Sequence, residues 1–504
     1  MPDDQSGVIA FLADPVSHGV TRVERIDTHC AHVFLAGDTA WKMKRAVKYD
    51  YLDFSTLGKR KKILDRELSL NARAAPTLYR RVVPITREED GALAIDGAGE
   101  PVEYALEMRR FPGAAQLDRI AEAGQLDDAL ARDLGVAVAD YHDTAEVLTA
   151  DGADLIREII EELGRVFAGM HDDLGTEGIE TFDEKATDHV ARTAPLLTRR
   201  TAEGRVRRCH SDLHLANLVL LDGAPVPFDA LEFDERLGTC DTFYDLAFLL
   251  MDLHHRGLTR QANLCLNAYL IRTQDHEALA ALPLFLAVRS AIRAMVDVQT
   301  ARATGSGALL PEAREYLTEA IAHLSPPPPR LVAIGGVSGT GKTRVARDLA
   351  PDLPPAPGAV HLRSDEIRKI RLGRDPLDPL PEAAYGPEVS EQVYRSMIDT
   401  ARTCLAAGHS VILDATWLDR EDRGLVDAVR GEIDASVTAL WLTAPRETLL
   451  ARVSARTGDA SDADAAVVLK QLSRAPGAVG WTTIDASGTP EETLAAVRAF
   501  IWSA

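Results

Sequence analysis

The stretch Cys209-His210-Ser211-Asp212-Leu213-His214-Leu215-Ala216-Asn217 decides how the larger part of the chain is read. An aspartate lies two residues after a histidine, and an asparagine follows it five residues later. The apolar run Val219-Leu220-Leu221 then leads to a further acid, Asp229, in Pro227-Phe228-Asp229. Moving a phosphoryl group from ATP to a hydroxyl needs a carboxylate to take the proton, an amide oxygen on one metal ion and a second carboxylate bridging the metals. Asp212, Asn217 and Asp229 stand in the order in which kinases use these groups, with His210 fixing the loop rather than reacting. No one of these residues is specific; their combined spacing is.

Upstream, the alternating run His32-Val33-Phe34-Leu35 meets the turn pair Gly37-Asp38 and a second run from Thr39 to Lys44, so a hairpin is predicted. Alternation puts Ala40, Lys42 and Lys44 on one face. A kinase-type sheet carries a lysine for the ATP phosphates, two residues beyond a small residue that leaves room for adenine. Ala40 followed by Lys42 fits that spacing, so Lys42 is preferred to Lys44. A solvated lysine pair on an edge strand is the competing reading. Glu67 lies in the helical pattern Ile63, Leu64, Leu68, Leu70 and is the candidate ion-pair partner of Lys42. Further strands are predicted at 82–85 and 102–108, and from Leu117 to Ala202 the apolar residues recur at helical spacing. Arg289 and Arg293, one turn apart in a later helical stretch, are expected on a helix surface.

Ser325-Pro326-Pro327-Pro328-Pro329 is the clearest boundary, since consecutive prolines form a stiff extended spacer. Beyond it the short apolar strand Leu331-Val332-Ala333-Ile334 runs into Gly336-Val337-Ser338-Gly339-Thr340-Gly341-Lys342-Thr343 and then a helix. This is the phosphate-loop pattern in its required context. Backbone N–H groups of Gly336, Ser338, Gly339, Thr340 and Gly341 curl around phosphate, Lys342 reaches the β- and γ-phosphates, and the Thr343 hydroxyl is a magnesium ligand. Asp414 ends the apolar run Val411-Ile412-Leu413, where a magnesium-organising acid belongs; a turn or capping aspartate is the alternative. Asp365 in Ser364-Asp365-Glu366-Ile367-Arg368 is the candidate base and Arg368 the acceptor anchor, although Ser364-Asp365 is also good helix-capping chemistry. Arg452 and Arg456 lie one turn apart on a helix that could close over the transferring group; an exposed arginine face is the alternative. Strands alternating with helices predict a parallel α/β sheet.

A chain of 504 residues predicts about two or three domains. With 46% apolar and 26% charged residues its composition is that of a folded globular protein. The net charge of −21 repels polyanions and favours cationic small molecules, so nucleic acid is disfavoured as a partner. The five cysteines form no C-x-x-C pair, which suggests neither a zinc site nor a disulfide framework and fits a cytoplasmic setting. The acidic start Met1-Pro2-Asp3-Asp4 predicts no secretory signal, and no apolar run is long enough to span a bilayer. Nothing in the pattern speaks to an oligomeric state.

The stretch from His210 to Asn217, with Asp229 and the run Asp241 to Ala247, resembles the aminoglycoside phosphotransferase and choline kinase-like family, which is similar to protein kinases. The segment from Trp41 to Val83, including Lys42, Tyr51-Leu52-Asp53-Phe54-Ser55-Thr56-Leu57 and Glu67, resembles a branch of it fused to a C-terminal ATP-binding domain. The C-terminal part is similar to P-loop kinases of the AAA, zeta-toxin, gluconate kinase and polynucleotide kinase-like group. The resemblance implies a two-lobed α+β kinase-like domain over residues 1–325, with a small lobe to about 110 and a helical lobe from about 111. It implies a linker at 326–329 and an α/β P-loop domain over 330–504, with ATP and Mg2+ as cofactors and a small-molecule hydroxyl as acceptor. Two points depart from the pattern. No G-x-G-x-x-G loop precedes Lys42, and the family's acceptor region is variable, so fold does not carry substrate. A nucleotide-binding regulatory role for one domain and a nucleic-acid end kinase in the C-terminal half stand as alternatives.

Overall fold

The computed structural model describes residues 4–49, 52–375, 378–430, 432, 435–455, 461–474 and 479–503. The chain groups into two compact units, one running to Leu155 and from Leu197 to Asp252, the other from Ile156 to Leu196 and from Leu253 onward.

Strands β1 (Val23–Asp27), β2 (Ala31–Ala36) and β3 (Thr39–Lys44) open the first unit, followed by the short pair β4 (Lys48–Tyr49) and β5 (Leu52–Asp53). After β6 (Tyr79–Arg87), β7 (Leu93–Ile95) and β8 (Glu100–Arg109), the described residues form a six-stranded sheet in the order β1-β2-β3-β8-β6-β7. Its neighbours are all antiparallel. The predicted hairpin is present, with Val33 opposite Lys42. The alternation within β3 sorts its side chains onto two cores: Trp41 and Met43 join Phe34, Val83 and Ile85, whereas Ala40 joins Leu64, Leu106, Met108 and Val219. Each buried Val, Leu, Ile, Phe or Met among these contributes about 1.5–3 kcal/mol, so the register that fills both cores is strongly favoured.

β3 lies between β2 and β8, and Lys44 is only 1% exposed, so the reading of a solvated lysine pair on an edge strand is corrected. The helix Leu57–Asn71 supplies the wall opposite. Its buried residues Arg60, Leu64, Glu67 and Asn71 are spaced by four, three and four, which is one face of a 3.6-residue period. Arg60 is neutralised there by Glu103, with its Nη2 at 2.8 Å.

The stretch from Cys209 to Asn217 sits between paired strands. β9 (Val206–Arg208) leads into it and pairs with β12 (Thr239–Asp241), while β10 (Leu218–Leu221) and β11 (Ala224–Pro227) form the hairpin that delivers Asp229. The apolar helix read from Asp241 begins at Thr242. Asp241 instead receives Arg200 at 2.7 and 2.8 Å and the Phe243 N–H at 2.8 Å.

In the second unit β13 (Arg330–Gly335), β14 (Val360–Arg363), β15 (Val411–Asp414), β16 (Ser436–Thr443) and β17 (Thr482–Asp485) form a parallel sheet in the order β14-β15-β13-β16-β17. It is the predicted α/β architecture. Val332, Ile334, Ile412, Leu440 and Leu442 pack against Val345 and Leu349 of the helix Lys342–Leu349 and against Val497 and Ile501 of the helix Pro490–Ser503. Sheets buried in this way place their ligands outside the carboxyl ends of the strands, where Gly335, Arg363 and Asp414 lie.

The segment 325–329 is neither helix nor strand. Helices Thr259–Thr273, Leu282–Thr304 and Leu310–His323, which precede it in the chain, belong to this same unit. Arg289 is 5% exposed, which corrects the expectation of a surface arginine. The first half of its helix is buried on every side, from Leu284 to Ala291, so no solvated face exists at that position.

Candidate active sites

In the first unit two ammonium groups meet three carboxylates. Lys42 Nζ lies 2.6 Å from Glu67 Oε1 and also bonds Asp229. Lys44 Nζ lies 2.6 Å from Glu67 Oε2 and 2.6 Å from Glu232 Oε1. Burial pulls the Lys42 pKa down, but Asp229 and Glu67 outweigh it and hold the ammonium well above its ordinary value. Burial likewise pushes the Asp229 carboxyl up, and Lys42 and Lys44 reverse the sign and keep it ionised.

Backbone groups lock this cluster to the loop at His210. Asp229 has φ +63°, and its N–H donates to the Tyr79 hydroxyl at 2.9 Å. The next N–H, of Ala230, donates to Asn71 Oδ1 at 2.9 Å. His210 is buried, which lowers its pKa and keeps the ring neutral, so its Nε2–H donates to Phe228 O at 2.8 Å. Asp245 fixes the loop from below, accepting the N–H groups of His210 at 3.1 Å and Ser211 at 2.7 Å and contacting His142 Nε2 at 3.1 Å. These bonds occupy the carboxylate that, with His142 and Cys209, makes a buried cluster of possible metal ligands. Asn217 Nδ2 donates to Asp212 at its carbonyl (2.9 Å) and Oδ2 (2.8 Å). The amide nitrogen is thereby committed, and Oδ1 is the group left for a cation. Three carboxylates against two ammoniums leave an excess of negative charge, and oxygen-only donors suit Mg2+. Asn217 and Asp229 therefore fit a divalent ion.

In the second unit the chain leaves β13 through Gly336 to Gly341. Gly336 has φ +140°, and a Cβ there would stand 2.5 Å from Leu442 O; at Gly339, φ +90°, it would stand 2.8 Å from Leu449 O. Only glycine serves at both. A loop of this shape running into a helix N-terminus is suited to phosphate. Lys342 Nζ donates to Val337 O at 3.1 Å, Thr340 Oγ1 donates to the same carbonyl at 2.8 Å, and the Ser338 N–H donates to Gln471 Oε1 at 2.8 Å.

The Thr343 hydroxyl donates to Asp414 Oδ2 at 2.7 Å, and His361 Nε2 lies 3.2 Å from that same oxygen. Burial works to raise the Asp414 pKa, but His361, Arg363 and Lys342 bring it down to about 2, so the acid is ionised at neutral pH. Asp365 goes the other way. Burial raises it, Arg363 opposes, and Asp414 adds to the rise. Thr343 and Asp414 thus form an oxygen donor set that fits Mg2+.

Lys342, Thr343, Asp365, Arg368, Asp414 and Arg452 line one cleft of about 1010 Å³. Arg368 is buried in its wall, donating to Ala384 O at 2.8 Å with its guanidinium 4.8 Å from the centre of the Tyr385 ring. Tyr385 in turn donates to Asp462 Oδ2 at 2.6 Å. Arg452 donates to Ala486 O at 2.8 Å and Gly488 O at 2.7 Å, so its donors are engaged by the chain after β17 and not by the phosphate loop. Arg456 lies outside the described residues, as does Tyr51.

Sequence reasoning sets Lys44 second to Lys42 and assigns no role to Glu232, Asp245, His361 or Gln471. A signal existed for Lys44, two residues beyond Lys42 on the same face of the strand. The others are joined to their sites by the fold alone.

Residues 331–477 match the model of a family described as an AAA domain. The chain is similar to an uncharacterized protein of Mycobacterium tuberculosis, 28% identical over 501 residues that take in 95% of this chain and 96% of that one. A choline/ethanolamine kinase family protein from Mesorhizobium loti covers 64% of this chain and 98% of its own, at 15% identity and a TM-score of 0.38. A sugar kinase from a Janibacter species covers 34% of this chain and 95% of its own, at 25% identity and a TM-score of 0.25. The part that matches the AAA-domain model carries the phosphate loop and most of the parallel sheet, and the N-terminal part carries the antiparallel sheet with the Lys42 and Glu67 pair.

Proposed function

We propose that the chain is a bifunctional, Mg2+-dependent phosphotransferase whose two sites each pass the γ-phosphoryl group of ATP to a hydroxyl of a small molecule. Sugars, aminosugars and aminoglycoside-like compounds are the acceptor class, in keeping with the net charge of −21. The observation that carries the reading is that two acids, Asp365 and Asp414, share one cleft with Lys342 and Thr343 of the phosphate loop. Asp414, bonded to Thr343, is held ionised, whereas burial raises Asp365 above its ordinary value, so the two acids differ in the readiness with which they take a proton.

In the second site Lys342 neutralises phosphate charge, and Arg368 sits in the wall that faces the acceptor. The acceptor oxygen attacks the γ-phosphorus, the bond from that phosphorus to the bridging oxygen of ADP breaks, and the hydroxyl proton passes to Asp365. In the first site Lys42, held by Glu67, takes the phosphate role and Asp212 the proton. Bound Mg2+ shields the phosphate oxygens; Thr343 and Asp414 would hold it in one site, Asn217 and Asp229 in the other. All five cysteines are free thiols, which suits a cytoplasmic setting. No helix among the described residues is long and apolar enough to cross a membrane.

The test is a screen of hydroxylated and aminated small molecules with ATP and Mg2+, reading ADP release together with the mass of the acceptor. A phosphorylated acceptor formed in step with ADP is expected. ADP release that no acceptor accelerates contradicts the reading.

A further inference from the structure

We infer that Asn267, on the helix Thr259–Thr273, is a positioning residue of the second site, because it fixes the edge strand whose His361 holds Asp414. The inference rests on the reading of that site as one for Mg2+ and ATP.

Among the described residues β14 is the outermost strand of the parallel sheet on its side. An outermost strand leaves one row of N–H and C=O groups without a strand partner. Two asparagines one helical turn apart meet that row. Asn267 Oδ1 accepts the His361 N–H at 2.7 Å, and the Nδ2 groups of Asn263 and Asn267 donate to Ala359 O at 3.0 and 3.2 Å. A side-chain amide offers an acceptor and a donor much as a peptide group does, so the helix stands in for a further strand.

The seat is tight. Asn263 is buried, and Gly358 beside it has φ +114°, where a Cβ would stand 2.7 Å from Asn263 Nδ2 and 2.5 Å from Ala350 O. A second tie comes from Arg260 of the same helix, whose Nη2 lies 2.8 Å from Asp348 on the helix that begins at Lys342.

The contacts continue to the chemistry. His361 offers its N–H to Asn267 and its ring nitrogen to Asp414 Oδ2 at 3.2 Å, and that oxygen also takes the Thr343 hydroxyl at 2.7 Å. Asn267 touches neither the phosphate loop nor the cleft lining; it acts through the position of His361. A residue that precedes the proline segment by more than a whole helix thereby belongs to the working parts of the P-loop site.

The experiment measures equilibrium binding of a fluorescent ATP analogue to the full chain as Mg2+ is raised, taking the share of binding that Lys342→Ala removes as the second site. Asn267→Ala is expected to need about fivefold more Mg2+ for half-saturation, the size of one lost hydrogen bond, with Mg2+-free binding unchanged. Asn263→Ala removes the neighbouring bond to Ala359 O and leaves the His361 N–H bonded to Asn267, so it is expected to stay within about twofold of wild type. A wild-type Mg2+ requirement in Asn267→Ala, or an Asn263 variant as impaired as the Asn267 one, overturns the inference. Should Asn267→Ala fail to fold, Asn267→Leu, which keeps the side-chain volume and removes the acceptor for the His361 N–H, decides alone: a raised requirement supports the inference and a wild-type one overturns it. Absence of any Mg2+-dependent binding removed by Lys342→Ala contradicts the Mg2+–ATP reading itself, a result distinct from the others.

Discussion

Thr343 donates its hydroxyl to Asp414 Oδ2 at 2.7 Å, joining the last residue of the phosphate loop to the last residue of the neighbouring strand β15. The two residues are separated by 71 positions in sequence, and parallel pairing of β13 with β15 brings them together.

Asp414→Asn keeps the shape and removes the charge. Because Asp414 is ionised in the fold, the variant is expected to lose about a hundredfold or more of second-site turnover, the cost of removing one preorganised group that supports transition-state charge. Acceptor-dependent ADP release measures it, and a loss smaller than about threefold contradicts the assignment.

Lys44→Met tests the buried charge cluster. It leaves Glu67 and Glu232 buried with one ammonium fewer, which is expected to cost about 3–5 kcal/mol in chemical unfolding. Lys61→Met, which breaks the exposed pair with Asp65 (44% and 48% exposed), is expected to cost less than about 1 kcal/mol. Equal costs for the two variants contradict the account of the cluster.

The part of this that the sequence carried is the local part. The phosphate loop is legible because its chemistry is written in eight consecutive residues, and Lys42 because strand alternation is a local rule. The parallel sheet was legible too, since apolar runs such as Val411-Ile412-Leu413 alternate with helical segments. Strand alternation puts Lys44 on the same face as Lys42, but its pairing with Glu232 spans 188 residues, and no local pattern reports such a contact. The burial of Arg289 was missed for a similar reason: its spacing to Arg293 reads equally well as a surface pair, and only the surrounding helices decide.

Second-site turnover should report Asp365. Its carboxyl is raised above the ordinary value by burial and must be ionised to take the proton, so the acid limb of the rate profile is expected above about pH 3.9. Asp365→Asn should abolish that limb along with most of the rate. An unchanged profile in the variant removes Asp365 from the mechanism.

Stability should depend on His409. This buried ring donates to Gly358 O at 2.8 Å and has its pKa lowered from 6.5 to about 4 by burial. A depressed folded value means that the unfolded chain binds the proton first. The contribution is full above pH 6.5 and is lost as pH falls toward 4, on the order of 3 kcal/mol. His409→Gln is expected to flatten that part of the stability curve between pH 7 and 4, and an unaltered slope contradicts it.

The central claim, that the chain holds two separate phosphotransfer sites, is tested most directly by comparing Asp212→Ala and Lys342→Ala in acceptor-dependent ADP release. Each variant is predicted to lose the phosphorylation of one acceptor and to retain the other. If Lys342→Ala abolishes every activity while Asp212→Ala leaves all of them at the wild-type rate, the first site is not catalytic and the claim fails.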